Sequence, residues 1–151
     1  ELRENPLADG STAEILVDND DAGVEIQGNW ERVTHGGYGP SSLHDLSKGQ
    51  QSATVRYVPF VKDAGEYEIL VYFSRTADAT QQTQVLVSDG KMESTLTINE
   101  SDFRVEGQTS GEWVSLGIFS LSPGTESHVK ITNQGADGVV VADAVLWVPM
   151  Q

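Results

Sequence analysis

Apolar residues recur at every second position through much of the chain. Ala53, Val55 and Tyr57 share one phase, as do Tyr67, Ile69, Val71 and Phe73, and again Val129 and Ile131. A period of two puts such residues on one face of an extended strand and the intervening ones on the other. Between the runs stand turn sequences: Asp63-Ala64-Gly65, Asp89-Gly90, Ser122-Pro123-Gly124 and Asp137-Gly138. Ile15-Leu16-Val17 and Val24-Glu25-Ile26 read as short early strands. Thr83 to Ser88 and Lys91 to Ile98 read as a hairpin closed tightly at Asp89-Gly90. Trp113 to Leu121 reads as a strand with Val114, Leu116 and Ile118 on one face and Phe119 on the other. The pattern predicts roughly eight or nine strands, no helix, and turns spaced as in an all-β sandwich or barrel. The hairpins favour antiparallel pairing, and a two-sheet jelly roll is the architecture expected.

The final run, Gly138 to Val148, is apolar apart from Asp143 and rich in Val. It reads as a strand buried on both faces. A carboxylate inside such a strand has to be hydrogen-bonded, neutralised or bound to a metal. The small neighbours Ala142 and Ala144 let other backbone approach, so Asp143 is expected to anchor something in the first segments of the chain. The segment from Thr34 to Gln51 has no regular pattern. It is rich in Gly and Ser and carries His35, Tyr38, His44 and Asp45. Irregular segments of this length are more often functional than merely connecting. Residues 1–13 show no periodicity and read as a linker or arm, leaving residues 14–151 as a single module.

With 151 residues the chain can form one domain that buries about two-thirds of its unfolded surface. The formal charge of −14, from 23 acidic and 9 basic side chains, argues against nucleic acid and against anionic membranes as partners. Cysteine is absent, which removes thiolate and disulfide chemistry from consideration. No apolar stretch reaches membrane-spanning length. The sequence does not open on Met and is expected to be a segment of a longer, secreted precursor.

Two clusters carry candidate chemistry. The run Asp18-Asn19-Asp20-Asp21 supplies several oxygen ligands at a turn, and Asp143 supplies another from the far end of the chain. Asp18, Asp20 and Asp143 are therefore candidates for a structural calcium site. The alternative is that Asp18 and Asp20 cap the turn with its own backbone, and Asp143 accepts backbone N–H groups. Trp30, Tyr38, His44 and Asp45 combine aromatic rings with polar groups, as a carbohydrate site does. The alternative reading makes Trp30 core and has His44 and Asp45 bond each other. Arg75 offers a guanidinium fork suited to acidic sugars. Trp113 and Trp147 stand in apolar strands and read as packing residues. No nucleophile motif or zinc-ligand spacing is present, so no enzyme activity is expected.

Several segments in order resemble the golvesin C-terminal-like domain family, also called the xanthan-lyase carbohydrate-binding-like domain. They are Val17-Asp18-Asn19-Asp20-Asp21-Ala22-Gly23, Gly28-Asn29-Trp30, Gly36-Gly37-Tyr38-Gly39 with Leu43-His44-Asp45, Ala64-Gly65-Glu66-Tyr67-Glu68, Gly111-Glu112-Trp113-Val114-Ser115-Leu116-Gly117, and Asp137-Gly138 through Val145. The resemblance runs from about Glu14 to Val148. It implies a galactose-binding-like jelly roll, used as a non-catalytic carbohydrate-binding module beside a linked domain, with polysaccharide as partner. Related jelly-roll modules often hold calcium between their first and last strands. The chain departs from the family after Tyr72-Phe73, where Ser74-Arg75-Thr76 replaces the usual Trp and Asn-Arg pair. A structural or adhesion module that packs on a neighbouring domain is the alternative.

Overall fold

A computed structural model of the chain describes residues 14–33, 42–45, 52–74, 82–99, 111–136 and 138–150. Twelve strands are present among them, every ladder is antiparallel, and no helix occurs. Strand β1 is Ile15–Asp18, β2 Val24–Gln27, β3 Glu31–Val33, β4 Ser42–Asp45, β5 Thr54–Tyr57 and β6 Gly65–Ser74. Strand β7 is Gln82–Ser88, β8 Glu93–Asn99, β9 Gly111–Leu121, β10 His128–Thr132, β11 Val140–Ala142 and β12 Ala144–Pro149. They form a four-stranded sheet in the order β1-β12-β6-β9, a five-stranded sheet β2-β5-β10-β7-β8 and a three-stranded sheet β11-β4-β3.

The two larger sheets form the sandwich expected from the pattern. From the four-stranded sheet, Val17, Val145, Trp147, Tyr67, Ile69, Val71, Leu116 and Leu121 are buried in the core. From the five-stranded sheet come Val55, Tyr57, Val129, Ile131, Val85, Val87 and Ile98. Most of these are the period-two residues of the sequence. Removing such side chains from water is the main favourable term in folding, at about 1.5–3 kcal/mol each.

Four local details differ from the sequence reading. The closing run is not one strand: Asp143 stands between β11 and β12, and the two halves belong to different sheets. Its carbonyl oxygen accepts the Asn19 N–H at 2.7 Å, outside any ladder, so the chain turns a corner there. Strand β9 carries a bulge. Ile69 faces Gly117, but Leu70 faces Ser115, which leaves Leu116 as the extra residue. Gly117 has φ of 118°, a backbone region that favours glycine and suits a bulge. The bulge reverses the alternation, so Phe119 packs on the core while Ile118 turns outward, 54% exposed. Finally, the β7–β8 connection spans Asp89 to Met92, not two residues; Asp89 Oδ1 accepts the N–H groups of Lys91 and Met92, each at 2.9 Å. Strand β4 also lies inside the segment that read as irregular.

Candidate functional site

The closing corner does join the chain's beginning to its end. Strand β1 pairs with β12, placing Asp18 opposite Ala144, and the Asn19 N–H meets the Asp143 carbonyl. The Asp143 side chain is fully buried. Burial pushes the Tyr57 phenol well above its ordinary range, with the negative charges of Asp143 and then Asp18 adding to the effect. The turn itself is held by its own carboxylates. Asp18 Oδ1 accepts the Asn19 N–H at 2.5 Å, and Asp21 Oδ2 accepts the Asp18 N–H at 2.8 Å. Burial raises the Asp18 carboxyl above its ordinary value; the Asn19 N–H opposes this, while repulsion from Asp20 and Asp21 adds to it.

Asp20 points elsewhere. Its Oδ1 lies 2.6 Å from the Arg32 guanidinium. Among the described residues, no three His, Cys, Asp or Glu side chains gather as a metal-ligand set. In this arrangement a calcium ion on Asp18, Asp20 and Asp143 would share the Asp20 carboxylate with Arg32 or displace the guanidinium from it.

Of the residues named for sugar binding, Trp30, His44 and Asp45 are described, and Trp30 adjoins Glu31, the register partner of His44. Trp30 is half-buried, packs on the core, and donates its indole N–H to the Gln27 carbonyl at 3.0 Å. Tyr38 and Arg75 lie outside the described residues. His44 is half-buried on β4, opposite Glu31 on one side and Val141 on the other. Asp45 is not a surface ligand group: it is 1% exposed and accepts the Asn133 side-chain amide at 2.6 Å. Its alternation against His44 turns the two side chains to opposite faces, so Asp45 pairs with Asn133 in the interior and staples β4 to the segment after β10.

The outer face of the four-stranded sheet holds a feature the sequence reading did not single out. Trp147 is buried as expected, but Trp113 is only half-buried. It faces Tyr72 in the β6–β9 register, and the two rings meet edge to face with centroids 5.2 Å apart and planes at 68°. One rank further along, Leu70 faces Ser115, and the Ser115 hydroxyl donates to Glu68 Oε2 at 2.7 Å. Leu146 and Leu16 continue the Leu70 rank across β12 and β1, with Leu16 42% exposed. The alternation signal was available: if Val114 and Leu116 point inward, Trp113 points out.

The opposite outer face, on the five-stranded sheet, is polar. Arg56 donates to Glu25 at 2.9 Å and lies 3.3 Å from His128 Nδ1, while His128 Nε2 lies 3.5 Å from Glu93. These groups make a charged row across the strands, each partnered by its neighbours.

Comparison with known proteins fits this architecture. The Golvesin C-terminal domain family matches over residues 15–148, and the chain belongs to that family. It is 35% identical over 140 residues to a xanthan lyase of Bacillus sp. (strain GL1), covering 89% of this chain but 14% of that one. The structure of a Paenibacillus xanthan lyase superposes with a TM-score of 0.80 at 28% identity, over 91% of this chain and 13% of the lyase. The chain thus spans about a seventh of the length of these lyases. A family 35 carbohydrate-binding module from Clostridium thermocellum superposes with a TM-score of 0.64 at 12% identity, over 92% of this chain and all of that module; at this identity the likeness establishes the fold. No helix among the described residues is long and apolar enough to cross a membrane.

Proposed function

We propose that this chain is a non-catalytic carbohydrate-binding module of a larger secreted bacterial protein, holding polysaccharide near a linked domain. The observation that carries this reading is the Tyr72–Trp113 pair beside Glu68 and Ser115 on an outer sheet face. An aromatic ring offers its face to the C–H surface of a pyranose, and the neighbouring carboxylate accepts from its hydroxyls. Membership in a family shared with xanthan lyases, and a fold shared with family 35 carbohydrate-binding modules, support the same reading. The mechanism is passive: a bound polymer raises the effective concentration of its substrate at the linked domain. The test is affinity electrophoresis in gels containing soluble polysaccharides, together with an assay for released reducing ends. The expected result is retardation by at least one polymer, reduced in Trp113→Ala, with no product released. Retardation by none would remove the reading.

The rival is a module that packs against a neighbouring domain. Leu16, Leu146 and Leu70, in register across the same sheet, with Ile118 exposed nearby, favour it. It predicts that Leu16→Asp weakens association with the rest of the parent protein while leaving glycan retention unchanged.

A further inference from the structure

Resting on the carbohydrate reading, we infer that the outer face of the four-stranded sheet is a platform for neutral glycans that rejects uronates. The warrant is the distribution of charge. Strands β1, β12, β6 and β9 contain no Lys or Arg along their whole lengths. Their outward positions carry carboxylates instead, Glu66 and Glu68 on β6. The Lys and Arg side chains of the described residues lie elsewhere. Arg56 and Lys130 point outward from the five-stranded sheet, Lys62 and Lys91 stand in connections, and Arg32 is paired with Asp20.

This charge pattern chooses among sugars that the aromatic pair alone would accept. Ring stacking is indifferent to whether the sugar bears a hydroxymethyl or a carboxylate. The polar group beside the rings is not indifferent. Ser115 already donates to Glu68 Oε2, which fixes the carboxylate in place on the face. Carboxylate oxygens accept hydrogen bonds and do not donate them. Glu68 therefore suits the O–H donors of a neutral sugar, while a uronate at the same place meets a like charge with no cation on the strands to offset it. The Ser115 hydroxyl is held in turn by the bulge, since its Oγ also accepts the Gly117 N–H at 3.2 Å. The bulge thus orients the polar group that reads the sugar. Tyr72 and Glu68 are four residues apart on one strand, or about 13–14 Å, so the face accommodates a short run of pyranose rings from the aromatic pair to the carboxylate.

The test is affinity electrophoresis of the full chain at low ionic strength against a neutral galactomannan and a neutral β-glucan, with polygalacturonate as the uronate probe. The wild type is expected to be retarded by a neutral polymer and not by polygalacturonate. Trp113→Ala is expected to weaken neutral binding at least tenfold, as is Tyr72→Ala, and circular dichroism shows whether each remains folded. Glu68→Lys is expected to weaken neutral binding and introduce retardation by polygalacturonate. Retardation of the wild type by polygalacturonate that Trp113→Ala abolishes would overturn the selectivity and leave the carbohydrate reading standing. Neutral binding unchanged in both folded aromatic variants would place the site elsewhere and overturn the inference. Retardation by no polymer would overturn the carbohydrate reading itself, and the inference with it.

Discussion

The side-chain amide of Asn133 donates to Asp45 Oδ2 at 2.6 Å, joining residues 88 apart in sequence. Asn133 Oδ1 also accepts the Ala53 N–H at 2.9 Å, and its own N–H donates to the Ala53 carbonyl at 3.2 Å. One buried Asn therefore ties the end of β4 and the approach to β5 to the segment leading into β11. Asn133→Ala leaves both the Asp45 carboxylate and the Ala53 N–H without this partner in the interior. A buried polar group deprived of its bond costs about 1–3 kcal/mol, and more when it is charged. Urea unfolding is expected to show a loss of at least about 2 kcal/mol, and Asn133→Asp a larger one, because it sets two carboxylates together. A loss under half a kilocalorie for Asn133→Ala would show that the staple contributes little.

The turn at Gly28 gives a second prediction. Its φ is 93°, and a Cβ there would lie 2.7 Å from the Ser52 carbonyl oxygen and 2.8 Å from Ala53 Cα and Cβ. Backbone strain and backbone contact act together, and neither is relieved by rotating a side chain. Gly28→Ala is expected to lower stability by about 2–4 kcal/mol. For a domain of this size each kilocalorie lowers the melting temperature by about 2–4 °C, so calorimetry suffices to read the effect. A melting temperature within two degrees of the wild type would mean that the loop shifts freely.

The sandwich was legible in the sequence wherever alternation ran unbroken. Val55 and Tyr57, then Tyr67, Ile69 and Val71, then Val129 and Ile131 all fill the core as the pattern required. The pattern failed where one residue changes the phase. Gly117 inserts the β9 bulge, so Ile118 turns out, opposite to the expectation. Asp143 splits the closing run between two sheets, because its carbonyl pairs with Asn19 instead of extending a ladder. At the candidate site, hydrophobicity misled: Trp113 looked like core, yet its partner is Tyr72 on the outer face. Asp45 looked like a ligand group in a polar loop, and nothing local announced Asn133 as its partner. A long-range hydrogen bond leaves no periodic trace. Asp143 does meet the first turn, but through its main-chain carbonyl and not through the carboxylate that drew attention to it.

Stability should depend on pH through His128. Burial lowers its tendency to protonate, and the positive charge of Arg56 adds to this; Glu93 acts the other way, and Lys130 lowers it again. The unfolded chain therefore takes up the proton first as pH falls through about 6.5, and stability declines across that window until the folded-state value is passed. Above about 6.5 the contribution is fully present. The melting temperature is expected to fall between pH 7.5 and 5.5 in the wild type, and to fall less in His128→Gln, which keeps a polar side chain beside Arg56 and Glu93. An equal decline in both would assign the pH dependence to other groups.

A calcium titration decides the proposal for Asp18, Asp20 and Asp143. Asp20 now faces Arg32 at 2.6 Å, so the guanidinium already supplies the positive charge that an ion would bring. Raised by burial and by its acidic neighbours, the Asp18 carboxyl would gain from a cation, but the ion would have to share Asp20 with Arg32 or compete for it. A ligand at a hundred times its dissociation constant stabilises the native state by about 2.7 kcal/mol, or roughly 5–10 °C in a domain of this size. Millimolar calcium is expected to move the wild-type melting temperature by less than about one degree relative to EDTA, well below that benchmark. Arg32→Ala releases Asp20 and is expected to show the larger calcium response. A rise of several degrees in the wild type, absent in Asp18→Asn, would instead establish the ion and show that Arg32 shares its partner with it or yields it.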